Sequence, residues 1–224
     1  MFIPLRDENP TRRIPFVTVI LIAANITIFL MQFFSPGGLE PHILRLATIP
    51  YEITHFHSLA PEVRIPPLLT LLTAMFLHGS LFHLLGNMLY LWVFGNNVED
   101  VLGPLRFLLF YFICGLAASL THIAFHPLSR VPMIGASGAI AGVLGAYFIL
   151  FPGARVLTLV FLFFFIRIIP IPAGLVLGLW FIMQVLNVGL GGGVAWFAHI
   201  GGFLVGALLI RTQGRRRRRY YGWS

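Results

Sequence analysis

Three short polar clusters interrupt long apolar stretches: His83-Leu84-Leu85-Gly86-Asn87, Gly135-Ala136-Ser137-Gly138 and Ala198-His199-Ile200-Gly201-Gly202. A hydroxyl, two imidazoles and an amide are the parts of an acyl-transfer site. A serine becomes nucleophilic when an imidazole within hydrogen-bond reach takes its proton, which gives Ser137 and His199 their candidate tasks. A developing oxyanion needs fixed donors. Ser137 near a helix N-terminus would bring free backbone N–H groups, while His83 and Asn87, four apart, share one helical face. The chain has only two aspartates, Asp7 and Asp100, and no Asp, Glu or Lys in the core of an apolar run. The site would therefore be a Ser-His dyad rather than a triad, and an intramembrane aspartyl pair lacks residues to form it. No glycine-rich phosphate loop follows a strand and no HExxH occurs, so nucleotide hydrolysis and zinc proteolysis lose their signatures. No cofactor and no metal is expected.

Taken singly, each residue has a plainer explanation. Small residues often just let membrane helices approach, as Gly138-x-x-x-Gly142 and Gly202-x-x-x-Gly206 would. Ser137 alone reads as packing, His199 as a satisfied interior histidine, and Asn87 as an interhelical hydrogen bond. Only the combination points to chemistry. His122 and His126, at i and i+4, could share a metal on one helix face, but no third ligand accompanies them and they read as interfacial. His42, His55 and His57 read as wet loop residues.

These groups must be held by membrane helices. Of 224 residues 58% are hydrophobic and 10% charged, against about 25% charged in a soluble domain. Six spans of about 20 residues need about 120, and 58% of 224 supplies about 130. Apolar segments fall at about 16–34, 82–98, 105–123, 134–151, 170–188 and 195–210, separated by breaks such as Ser35-Pro36-Gly37, Gly103-Pro104 and Phe151-Pro152-Gly153. The first is longer than a secretory signal core and lacks a cleavage site, so it reads as a retained span. Leu157 to Ile169 is too short to cross and carries Arg167; it reads as interfacial, or as an extended lead-in to the fifth span. The expectation is an all-α membrane protein with six transmembrane helices: an N-terminal segment 1–15, a membrane domain 16–210 and an Arg-rich tail 211–224. The first loop, 35–68, is the longest connection, placed on the outer side and expected to be functional or to carry short helices of its own.

Charge sets the orientation. All 15 basic residues are Arg, against 7 acids, and Arg211 and Arg215 to Arg219 crowd the C-terminus. A pI near 10.8 could suggest nucleic acid, but the other positive charges are scattered. The tail reads as held on the cytoplasmic side against anionic lipid, with no nucleic-acid partner. Both termini are Arg-rich, so both are expected in the cytoplasm, and an even number of spans follows. Spans two, four and six then run from outside to inside, placing Ser137, His199, His83 and Asn87 within a turn or two of the outer surface. A seventh span would part Ser137 from His199 by the bilayer thickness. Without a long Arg-rich, acid-poor presequence, the expected location is a prokaryotic cell (inner) membrane. Cys114 is the single cysteine, which precludes an intrachain disulfide.

Four motifs, in this order, resemble the rhomboid intramembrane serine proteases: HLLGNMLYLWVFG at 83–95; the run Gly95, Glu99, Gly103, Phe107; GASGAIAG at 135–142; and AHIGGFLVG at 198–206. The resemblance covers about residues 70–210. It implies a six-span rhomboid-like bundle, Ser137 as nucleophile, His199 as general base, and His83 and Asn87 with the Ser137 N–H as oxyanion donors. It implies a structural role for Glu99, tying helix ends, and places His78 near the site. The substrates it implies are single-span transmembrane proteins, cut near the outer face. Two departures stand out. Leu69-Thr70 occupies the place where some members carry Trp-Arg ahead of the stretch Thr73 to His78, so this loop is anchored by other residues. Ala141 stands where some members stack a tyrosine on the base, so another side chain must orient His199. Two rival functions are a non-catalytic client-binding relative, disfavoured by the presence of both Ser137 and His199, and a small transporter. The latter would call for charged span cores or inverted repeats, and neither is evident. Oligomeric state is left open.

Overall fold

The structure, a computed structural model, describes residues 2–162, 165–190 and 193–211; the Arg215 to Arg219 run lies outside the described residues. In chain order the elements are β1 (Phe2–Asp7), α1 (Phe16–Phe33), α2 (Glu40–Leu46), α3 (Pro50–His55), α4 (Pro67–Thr73), a 3₁₀ turn (Ala74–Phe76), α5 (Leu81–Leu102), α6 (Pro104–Phe125), α7 (Ser137–Leu150), β2 (Arg155–Leu162), β3 (Phe165–Pro172), α8 (Ala173–Leu186) and α9 (Trp196–Arg211). Each of the six apolar segments holds one long helix. Two of these, α1 and α6, are long and apolar enough to cross a membrane, and a third candidate is α4 with its 3₁₀ turn joined to α5 through a 79° bend. By contrast α7, α8 and α9 have 14, 14 and 16 residues. At about 1.5 Å per residue these fall short of the roughly 30 Å hydrocarbon core. Large apolar side chains such as Ile20, Leu109, Leu179 and Leu204 are exposed around the bundle, as a lipid-facing surface requires.

Packing contacts establish the helix directions. Added Cβ atoms at Gly138 and Gly142 would strike Ala118 and Cys114 of α6, so α6 and α7 are antiparallel; Gly202 and Gly206 of α9 oppose Gly138 and Gly142, so α7 and α9 are parallel. Gly174, at the start of α8, lies against Pro152 just beyond α7, so α8 runs back. His83 near the start of α5 lies against Gly135 just before α7, and farther along both helices Phe94 meets Tyr147. The N-termini of α5, α7 and α9 therefore converge at one end of the bundle.

At the opposite end the all-helical expectation fails. Residues 155–172 form a hairpin that pairs with β1, giving an antiparallel sheet of order β1-β2-β3. Val156, Thr158 and Val160 are buried in alternation, the period-2 pattern of a half-buried strand. Leu157 to Ile169 thus lies in this hairpin, whose second strand leads directly into α8. A β-branched run too short to span, with prolines at 170 and 172, satisfies its backbone better in a ladder, and those prolines sit on the edge strand, where a missing N–H is tolerated. Asp7 at the end of β1 accepts hydrogen bonds from Tyr147 Oη (2.6 Å) and Asn97 Nδ2 (2.8 Å), joining the sheet to α5 and α7.

Glu99 joins the same end. The N-terminus of α1 has no cap of its own, and the Glu99 carboxylate reaches across from α5 to accept from Val17 N (2.9 Å), Thr18 N (2.8 Å) and Thr18 Oγ1 (2.8 Å). Those are the orphan donors of a helix start. Between α1 and α5 the connection carries three short helices. It is anchored by a buried ion pair, Arg64 Nε to Glu52 Oε2 at 2.8 Å, and Arg64 also donates to the carbonyls of Leu44 and Ala47. This pair does the anchoring that the Leu69-Thr70 departure left unassigned.

Candidate active site

Ser80 caps α5, accepting from His83 N at 3.1 Å. That sets His83 in the first turn and Asn87 one turn later on the same face. Helix α7 begins at Ser137 with no side-chain cap, so its first-turn N–H groups are unsatisfied within the helix. Just before it, Gly135 has φ +116, its N–H donates to Ala74 O (2.8 Å), and a Cβ there would lie 2.8 Å from His83 Nε2. Only glycine combines that backbone conformation with so close an imidazole. Asn87 Nδ2 is 3.8 Å from the same point, is buried, and has no hydrogen-bond partner among the described residues. Two side-chain donors thus converge beside the turn that leads into Ser137.

His199 stands in the first turn of α9. The glycine contacts between α7 and α9 bring their backbones together, and His199 Nε2 lies 2.8 Å from Ser137 Oγ. Both residues are half-buried. All four sequence-predicted residues, Ser137, His199, His83 and Asn87, line one cavity of ≈ 750 Å³, with Trp180 and His122. His78 is fully buried, with its ring 5.0 Å from that of His83. The rings of His122 and His126 stack at 4.7 Å, and no group of three or more potential metal ligands occurs among the described residues.

One contact was missed from sequence. His199 Nδ1 lies 2.8 Å from Gln184 Oε1 on α8, and the Trp180 ring is 5.8 Å from the imidazole. The signal was present: a glutamine in an apolar helix is costly and a functional hypothesis by default, yet Gln184 is uncharged and lies six residues beyond the Gly174-x-x-x-Gly178 pair of its helix.

Such an arrangement can move a proton from a hydroxyl to an imidazole beside donors placed for an anion. The family model for the rhomboid domain matches residues 67–216. Among similar proteins, Rhomboid protein 1, mitochondrial, of Saccharomyces cerevisiae is 32% identical over 69% of this chain and 41% of its own length. Rhomboid protease GluP of Bacillus subtilis is 46% identical over 34% of this chain and 14% of its own. RHOMBOID-like protein 4 of Arabidopsis thaliana is 36% identical over 68% and 35%. The chain spans less than half the length of these relatives. Coming from a yeast, a bacterium and a plant, they do not single out a prokaryotic inner membrane. A match through α5 to α9, taking in all three polar clusters, means that the chain belongs to the rhomboid family of integral membrane proteins.

Proposed function

We propose that this protein is an intramembrane serine endopeptidase that cuts single-span membrane proteins near the outer face of the bilayer. The observation that carries the reading is the 2.8 Å approach of His199 Nε2 to Ser137 Oγ in a cavity also lined by His83 and Asn87. Ser137 Oγ attacks the scissile carbonyl as His199 Nε2 takes its proton. The oxyanion is held by the Ser137 N–H, Asn87 Nδ2 and His83. Collapse passes the proton from Nε2 to the leaving amine. Water then attacks the acyl-serine, Nε2 takes and returns its proton, and a carboxylate product leaves with Ser137 restored. Apart from one water, which the open cavity admits, each step uses side-chain and backbone groups of the chain itself.

The same reading has α1 and α5 to α9 as six spans with both termini in the cytoplasm, and the alternating helix directions support it. Helices of 14 to 16 residues suit a bundle whose site is recessed below the outer surface, since the chain leading into α7 and α9 completes the crossing. His199 must be neutral to act as base, so cleavage falls as acid protonates it.

The test is reconstitution in liposomes with a panel of single-span substrates, comparing wild type with Ser137→Ala and His199→Ala and labelling with a serine-reactive phosphonate. Cleavage near the outer face, lost in both variants, with labelling that requires Ser137, is the expected result. Cleavage that survives Ser137→Ala overturns the nucleophile assignment. Neither cleavage nor labelling would move the reading to a non-catalytic client-binding protein.

A further inference from the structure

We infer that Gln184 is the positioning residue of the site, selecting the imidazole tautomer and thereby completing a Ser137-His199-Gln184 relay without a buried charge. The inference rests on the protease reading above and deepens it.

The Gln184 amide can be oriented in one way only. Gln184 Nε2 donates to the Trp180 carbonyl one turn back on α8, at 2.9 Å. An amide turned the other way would set its oxygen against that carbonyl, two acceptors face to face. The NH₂ end is therefore pinned to the helix, and Oε1 is the end that projects to α9, 2.8 Å from His199 Nδ1. A carbonyl oxygen only accepts, so Nδ1 carries the proton. In a neutral imidazole the other nitrogen is then the acceptor, which leaves Nε2 unprotonated opposite Ser137 Oγ. The tautomer needed to take the serine proton follows from hydrogen-bond chemistry rather than from an assignment of hydrogens.

Burial makes the selection effective. Gln184 is 5% exposed, so water competes little for Nδ1–H. A carboxylate between α8 and α9 would need a partner, and no positively charged residue occurs on α8. An amide supplies the acceptor without that penalty. Trp180 and Gln184, four apart, face α9 together, and the Trp180 ring stacks on Phe203 at 6.2 Å as well as lying beside His199. This answers how the base is oriented when Ala141 stands where a stacking tyrosine would be.

The experiment compares Gln184→Met, which keeps length and apolar volume but removes the acceptor, with Gln184→Glu, which keeps an acceptor oxygen. Both are assayed in liposomes beside wild type and Ser137→Ala. In parallel, imidazole ¹⁵N NMR of the detergent-solubilised protein reads the His199 tautomer. With the acceptor gone, kcat and the phosphonate labelling rate of Ser137 should fall about 10–100-fold. KM should be unchanged, and Gln184→Glu, whose oxygen still accepts from Nδ1 but whose buried carboxylate forfeits the bond to the Trp180 carbonyl, should lose activity but less than Gln184→Met does. NMR should show Nδ1–H in wild type and loss of that preference in Gln184→Met. Ser137-dependent cleavage with Gln184→Met at the wild-type kcat overturns the inference while leaving the protease reading intact. Equal losses in both variants overturn it too, since they would mark a packing role. A wild-type Nε2–H tautomer overturns it independently of any activity, whereas absence of Ser137-dependent cleavage with the Nδ1–H preference in place counts against the protease reading alone.

Discussion

Gly206→Ala separates the geometry of the site from its chemistry. Gly206 lies two turns beyond His199 on α9 and touches no reacting group. The three atoms nearest a Cβ there are all backbone of α7, the O, C and Cα of Gly142, which cannot swing aside as the end of a flexible side chain would. The added carbon would be 2.6 Å from Gly142 Cα, where ordinary contact starts at 3.4 Å, so the helices must part by at least about 0.8 Å. Applied along a stiff helix, that shift takes the Ser137–His199 distance from 2.8 Å to roughly 3.6 Å, beyond hydrogen-bond range. Misplacement of about 1 Å costs on the order of 10²-fold in rate. The fold suffers less: overpacking costs about 1–3 kcal/mol, partly offset by about 0.5–1 kcal/mol from replacing a mid-helix glycine. The assay is kcat on a single-span substrate in liposomes, the rate of phosphonate labelling at Ser137, and thermal unfolding in detergent. Gly178→Ala on α8 is the control, because its Cβ would make an ordinary 3.8 Å contact with Phe148 and should leave all three readings near wild type. A folded Gly206→Ala protein that cleaves and labels at the wild-type rate would refute the claim that the α7–α9 glycine contact sets the site.

Three further outcomes follow from the anchors around the site. Glu99→Ala strips three hydrogen bonds from the start of α1 and should cost about 2–3 kcal/mol, with Glu99→Gln losing about half as much; chemical denaturation in mixed micelles measures both. Arg64→Met leaves the Glu52 carboxylate buried without its partner and should cost about 3–5 kcal/mol, seen as faster hydrogen exchange across residues 44–64 before the rest of the bundle. Asp7 gives a pH signature. Burial pushes its carboxyl up to about 6, against the lowering effect of the Tyr147 hydrogen bond. The folded state therefore binds the proton more tightly than the unfolded state. The stabilisation is fully present below about pH 4 and is lost as pH rises through about 6, amounting to about 1–3 kcal/mol. Asp7→Asn, an uncharged isostere, should flatten stability between pH 4 and 6, and an unchanged slope in that window would show that Asp7 is not its source.

Much of the site was legible from the chain alone because its parts are rare in their surroundings. Ser137, His199, His83 and Asn87 are polar groups in apolar helices, where desolvation makes each conspicuous, and the parity of the apolar segments placed them at one depth. The small residues around Ser137 and His199 forecast close helix approach, and the family resemblance implied the tie that Glu99 makes between helix ends. What the sequence did not reveal came from contacts between segments far apart in the chain. Residues 157–169 read as interfacial, or as a lead-in to the fifth span, because period and length describe one segment. The strand became favourable only when β1, about 150 residues earlier, supplied a second ladder for β2. Gln184 was one more uncharged residue on an apolar helix until the fold set it 2.8 Å from His199. Local composition determined which residues could do chemistry, since burial cost is a property of the side chain. Which of them meet was decided by helix spacing that backbone-to-backbone packing at Gly138, Gly142, Gly145, Gly202 and Gly206 establishes.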